Sequence, residues 1–101
     1  MDGGLNAETL LHRRVCFRDI ELGRVVDVVL DTSLRRILGL DVLCGDRGRR
    51  FLPYGACRID GTVVGVESAL VLSDEVEFYR SHGRPLSVLK RRGVPLRGVD
   101  G

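Results

Sequence analysis

The chain has 101 residues, 44% of them hydrophobic, which fills one core and leaves little for a second. Sixteen basic residues against 14 acidic ones give a net charge of only +2, too near neutrality to imply a nucleic-acid partner by itself. The longest apolar runs, such as Val25 to Leu30, are interrupted by Asp27 and closed by Asp31, far short of the roughly 20 residues a membrane span needs.

Met1 to Glu8 holds two acids, two glycines and no basic apolar block, so neither a secretory signal nor a transit peptide is expected and the expected location is cytoplasmic. Residues 1–9 read as a flexible N-terminal tail. Cys16, Cys44 and Cys57 are odd in number, widely spaced and without any CxxC, which suggests small core residues rather than a disulfide framework or a zinc site.

The middle of the chain carries the strand signal. Val26, Val28 and Leu30 alternate with Asp27, Val29 and Asp31 at the two-residue period, predicting a half-buried strand with one apolar and one mixed face. Polar turn chemistry from Asp31 to Arg36 then returns the chain into a second strand, with Leu38, Leu40, Val42 and Cys44 on one face. After a turn at Gly45 to Gly48, Arg49 to Tyr54 is a short segment whose Pro53 cannot donate to a ladder and marks a strand end or edge. Asp60-Gly61 is a two-residue hairpin signal, and Val63 to Leu72 a further strand with Gly65 as a possible bulge. One short helix is expected over 73–83, capped by Ser73, with Asp74 and Glu75 at its positive end and Gly83 and Pro85 stopping it. Closely spaced strands without strand–helix alternation predict a mainly β fold, a small antiparallel β-barrel with this helix after it.

The side chains able to do chemistry are few. His12, His82 and the cysteines form no catalytic or metal-ligating spacing, and both histidines read as capping or solvent-facing. Asp27 and Asp31 share a strand face and Asp41 falls on the neighbouring strand, a set of carboxylates able to hold a hard cation. The competing expectation is that all three are solvated outer-face positions. Arginine pairs stand at 13–14, 35–36, 49–50 and 91–92, and Phe51 adjoins one of them, where base stacking would want an aromatic. Arg80 to Arg97 holds six basic residues and no acid. Fifteen arginines to one lysine also fits the codon bias of a GC-rich genome. The candidate partner-binding residues are therefore Arg49, Arg50, Phe51, Arg91 and Arg92. No catalytic, cofactor or metal residue is assigned.

Leu22-Gly23-Arg24-Val25-Val26-Asp27-Val28-Val29-Leu30-Asp31, then Ile37-Leu-Gly-Leu40, Arg50-Phe-Leu-Pro-Tyr54 and Ile59-Asp-Gly61 before a valine-rich strand, follow the order seen in the PRC-barrel family, and over 10–72 the chain resembles it. The signature residues are Gly23, Asp27, Asp31 and Pro53. The resemblance implies a small β-barrel of the kind found in the photosynthetic reaction-centre H subunit and a bacterial ribosome maturation factor, both concerned with assembly. It transfers no catalytic residues. Locally, Gly23 is expected to let the chain enter its strand through a turn, and Pro53 to end one.

Leu11-His-Arg-Arg-Val-Cys-Phe-Arg18 and Leu89-Lys-Arg-Arg-Gly-Val-Pro-Leu-Arg97 align with one inserted glycine, as if 84–101 opened a second copy. The apolar residues after Gly83 are too many for a solvated tail, so this segment is expected to pair with a barrel, its own or that of a second chain, giving a homodimer or tandem pseudo-dimer. The expected function is a non-enzymatic binding or assembly module for a protein partner. An RNA- or ribosome-associated module is the alternative, and a metal- or small-ligand-binding regulator using Asp27, Asp31 and Asp41 comes third.

Overall fold

The computed structural model describes residues 7–93. A 3-10 turn at Ala7–Leu10 precedes β1 (Arg14–Phe17), β2 (Ile20–Leu30), β3 (Ile37–Cys44) and β4 (Arg49–Pro53). A second turn, Tyr54–Ala56, leads to β5 (Cys57–Asp60) and β6 (Val63–Val66), and a third, Ala69–Val71, to α1 (Val76–His82), β7 (Arg84–Pro85) and α2 (Leu86–Arg91). The strands run β4-β3-β2-β1-β6-β5 in one sheet, with β7 beside β2. The fold is mainly β, a strongly curled half-barrel followed by short helices.

One pairing departs from the antiparallel expectation. β6 lies parallel to β1, because the β5–β6 hairpin is laid along the far side of β1 with β6 innermost. The hairpin turn itself is Gly61-Thr62, one residue later than predicted, since Asp60 pairs with Val63 and Gly61 supplies the positive φ of 61°. Val63 to Leu72 is not one strand. It breaks after Val66, and Ser68 caps the following 3-10 turn by accepting from the Leu70 N–H.

β2 organises the sheet. Its first half pairs with β1, its last two residues pair on that side with β7, and its other edge pairs with β3. Two bulges shift the alternation of the β2–β3 ladder, one at Val26 and one at Leu38. Val28, Leu30, Leu40, Val42 and Cys44 face the barrel core as predicted, but Val26 and Leu38 do not, because the bulges push both to the surface. Val25 takes the inward position instead. Gly23 is also not at a turn. It lies within β2, where a Cβ would stand 2.4 Å from the Leu43 carbonyl oxygen, so it is required by close strand approach.

Two apolar clusters result. The larger fills the curl, with Val15, Val25, Val28, Leu30, Leu40, Leu52 and Val64 at its centre. Ala7 and Leu10 are buried in it, so Ala7, within the stretch expected to be a flexible tail, is packed in the core. Leu86 and Leu89, one helical turn apart on α2, close it from the other end. The segment after Gly83 thus folds back on its own barrel as far as it is described. Leu89 to Gly93, the start of the stretch aligned with Leu11 to Arg18, is helix and turn rather than strand, and Val94 to Gly101 lies outside the described residues.

The smaller cluster is on the outer face. Phe51 stacks on Tyr79 of α1 with centroids 3.9 Å apart and planes 6° from parallel, with Val29 and Val76 beside them. Gly39 makes room for Phe51, since a Cβ there would meet its Cζ at 2.3 Å. Ser73 does not cap α1 as predicted. Its backbone forms a bridge to Phe51 of β4, and α1 begins after Glu75.

A buried aspartate pair beneath an open cleft

The Val26 bulge sets Asp27 on the outer face of β2, directly opposite Asp41 on β3. Like charges facing each other across a ladder destabilise it unless they are compensated. Here both are buried, at 3% and 0% exposure, which overturns the expectation of solvated positions. The reason is coverage from above by α1 and α2.

Each helix brings a compensating group. Arg80 of α1 reaches down so that Nη1 lies 2.6 Å from Asp27 Oδ2 and 3.1 Å from Asp41 Oδ2. At the start of α2, the Ser87 N–H donates to Asp27 Oδ1 at 3.0 Å and its hydroxyl to Oδ2 at 2.6 Å, while the Val28 N–H takes Oδ1 at 2.9 Å. Arg49 of β4 completes the set with a two-pronged contact to Asp41, Nε donating to Oδ1 at 3.0 Å and Nη2 to Oδ2. Two carboxylates meet two guanidinium groups, and no buried side-chain polar atom among the described residues lacks a partner.

Burial pushes the Asp27 carboxyl up, but the bonds from the Ser87 hydroxyl, Arg80 and the Ser87 and Val28 amides outweigh it and hold its pKa below the usual value. The hydrogen bonds to Asp41 raise the Arg49 pKa. The formal charges of the two carboxylates and two guanidinium groups balance within the cluster. Its geometry gives it a structural task, tying both helices to the outer face of β2, β3 and β4.

Above the network is an open cleft of about 400 Å³ lined by Val26, Asp27, Leu43, Arg49, Arg80 and Ser87. Its apolar members are exposed, Val26 at 37% and Leu43 at 41%. The Arg49 side chain remains 43% exposed at the rim, with Nη1 outside its two bonds to Asp41. The surface therefore offers two aliphatic side chains next to a fixed guanidinium.

The other residues singled out in the sequence are dispersed. Arg50 points to the opposite face of β4 from Arg49, held by Asp46 and Asp74, so the Arg49–Arg50 pair is not one patch. Its bonds draw the Asp46 pKa down to about 2. Phe51 is 1% exposed and stacked on Tyr79, which leaves no face for a base. Arg91 ends α2 and Arg92 follows it, both exposed and without an acidic partner among the described residues. Asp31 is not brought to the aspartate pair. Its carboxylate accepts from the Ser33 hydroxyl and the Arg35 and Arg36 amides, closing the β2–β3 turn. The Arg80 guanidinium bridges Asp27 and Asp41 where a cation would sit, and among the described residues no cluster of three metal-ligating side chains exists. Pro53 ends β4 as expected. His82 lies at the end of α1, with Nδ1 2.8 Å from the Phe78 carbonyl oxygen, in a terminal capping role.

Sequence reasoning missed Arg80 and Ser87. A signal for Arg80 was available, because Val76, Tyr79 and Arg80 share one helical face at i, i+3 and i+4, and an arginine on an apolar face implies a buried counter-charge. Ser87 had no comparable signal.

The chain matches no protein-family model and no curated protein sequence.

Proposed function

We propose that the chain is a non-enzymatic binding module of the PRC-barrel kind, and that it seats a protein partner on the cleft over the aspartate pair. The observation that carries this is the exposure of Val26 and Leu43 on a surface whose charged groups are already paired beneath them. Acid–base or nucleophilic chemistry needs a titratable or nucleophilic group within reach of a bound substrate. The Asp27 and Asp41 carboxylates are buried and already accept from Arg80, Arg49, Ser87 and Val28, which favours recognition over turnover at the cleft. Exposed aliphatic side chains beside an arginine suit an apolar anchor followed by a carboxylate. A cytoplasmic setting belongs to the same reading, and it accords with three cysteines that are all free thiols.

The test compares affinity purification from native lysate with the wild-type chain and with Leu43→Glu, a substitution at an exposed position. Wild type is expected to retain a stoichiometric protein that the folded variant loses. Equal recovery by both removes the cleft from the reading. Salt-sensitive RNA binding abolished by Arg91→Glu/Arg92→Glu would replace it with the ribosome-associated alternative.

A further inference from the structure

β4 and β5 are the two outer strands of the sheet, and they differ in how they are finished. On β4, Phe51 exchanges both backbone hydrogen bonds with Ser73 at 2.8 Å, and Pro53 removes a donor. β5 hydrogen-bonds to β6 alone among the described strands. Asp60 and Val63 flank a two-residue turn and form its closing hydrogen-bonded pair, so the N–H and C=O of Ile59 point away from β6. One group on either side is occupied. The Cys57 N–H bonds back to the Tyr54 carbonyl, and the Gly61 carbonyl accepts Arg13 Nη1 at 2.8 Å. What remains open is centred on one residue, Ile59.

The outward side chains around that centre are Arg58 and Asp60, both exposed, while Ile59 is half-buried against the core. An antiparallel partner strand centred on Ile59 sets residue 58 opposite residue 60. When the partner is the same strand, Arg58 faces the other copy's Asp60 and Asp60 faces its Arg58, so both opposed pairs are of opposite charge. We propose that a second copy of this chain docks on β5 by antiparallel edge pairing, with the two-fold axis at Ile59.

The geometry has two properties a closed two-fold contact requires. The strand is self-complementary in charge, and its outward donor and acceptor lie on the axis residue. The competing partner of Arg58 is Glu67 at 3.1 Å, with side chains 66% and 84% exposed, an ion pair too solvated to hold it. Four residues of edge make a short interface, which falls in the weak, transient class. The proposal uses neither Val26, Leu43 nor the aspartate pair, so it stands or falls apart from the cleft.

Sedimentation velocity of the full chain up to about 1 mM, a concentration suited to weak interfaces, provides the test. The weight-average mass is expected to rise from 11.2 kDa towards twice that value. Arg58→Asp sets like charges opposite each other at both pairs and is expected to weaken association at least about tenfold. Arg58→Asp/Asp60→Arg, which swaps the charges within the strand, is expected to restore it. Ile59→Pro removes the outward N–H together with a half-buried side chain, keeps the β6 ladder, and is expected to yield a monomer that circular dichroism shows to be folded. A wild-type chain monomeric throughout the range overturns the proposal. So does association unchanged by Arg58→Asp, or a charge swap that fails to recover it in a folded double variant.

Discussion

Arg80 spans Asp27 and Asp41 from a helix on the other side of the cluster, and replacing it by Met isolates its contribution. The methionine keeps the buried stem and removes the guanidinium, leaving Asp41 with Arg49 and Asp27 with Ser87 and the Val28 amide. Breaking one partner out of a buried ion pair costs about 3 to 5 kcal/mol. Because the Arg80 side chain is 19% exposed, we expect the lower end, about 3 kcal/mol. For a domain of this size that corresponds to a fall in Tm of more than about 10 °C. The pH dependence gives a sharper signature. In the wild type the Asp27 pKa is depressed, so its contribution is present above the unfolded value of 3.8 and is lost as pH falls through the lower folded value. Without Arg80, two carboxylates face each other across the ladder and only Arg49, bonded to Asp41, remains to offset them. Asp27 stays buried but loses one of the bonds that offset its desolvation, so its folded-state pKa rises and the variant loses less stability than the wild type as pH falls. The gap between wild type and Arg80→Met should therefore narrow from pH 7 to pH 4, followed by urea titration with far-ultraviolet circular dichroism. In a double-mutant cycle, Asp27→Asn should take up at least about 1 kcal/mol of the loss. A cost under about 0.5 kcal/mol at pH 7, the level of an ordinary surface substitution, or a gap that widens on acidification, would refute the reasoning.

Gly39→Ala forces a Cβ to 2.3 Å from Phe51 Cζ and 2.5 Å from the Leu52 carbonyl oxygen, and should cost about 1 to 3 kcal/mol in thermal melts, whereas Gly55→Ala meets nothing within 4 Å and should be near neutral. Leu89→Ala opens the core from the α2 side and should destabilise by about 2 to 4 kcal/mol. A chain ending at Gly83 loses Leu86, Leu89 and both Ser87 bonds to Asp27, and should show no cooperative melt. Burial raises the Cys57 thiol from 9.0 to about 11, so at pH 8 its native alkylation, followed by peptide mass spectrometry, should be about a hundredfold slower than in urea.

The fold was legible where one rule acted alone. Alternation over Val28 to Leu30 and Leu40 to Cys44 identified β2 and β3, and Pro53 marked the end of β4, because a missing donor acts locally. Alternation failed at Val26 and Leu38, since a bulge adds one residue without leaving a compositional mark and reverses the faces that follow. Phe51 beside two arginines has the composition of a stacking patch. Its burial depends on Tyr79, 28 residues away in sequence, and on the missing side chain at Gly39.

The aspartates show why the candidate site was only half readable. A carboxylate in the middle of a strand reads as a solvent-facing position, and for an isolated sheet that inference holds. Asp27 and Asp41 become buried because α1 and α2 cross the outer face, and those helices have only seven and six residues, too short to be stable alone. Tertiary contacts must therefore hold them, and the contacts available are Tyr79 on Phe51, Leu86 and Leu89 in the core, and the bonds from Arg80 and Ser87 to the two carboxylates. Sheet and helices are thus interdependent. Without the helices the aspartates face each other uncompensated across the ladder, and without the aspartates Arg80 would be a cation on the apolar side of a short helix. The exposed pair Val26 and Leu43 borders this arrangement, so a partner bound there would rest on a surface fixed by ionic contacts among β2, β3, β4 and α1 and by the hydrogen bonds of Ser87 from α2.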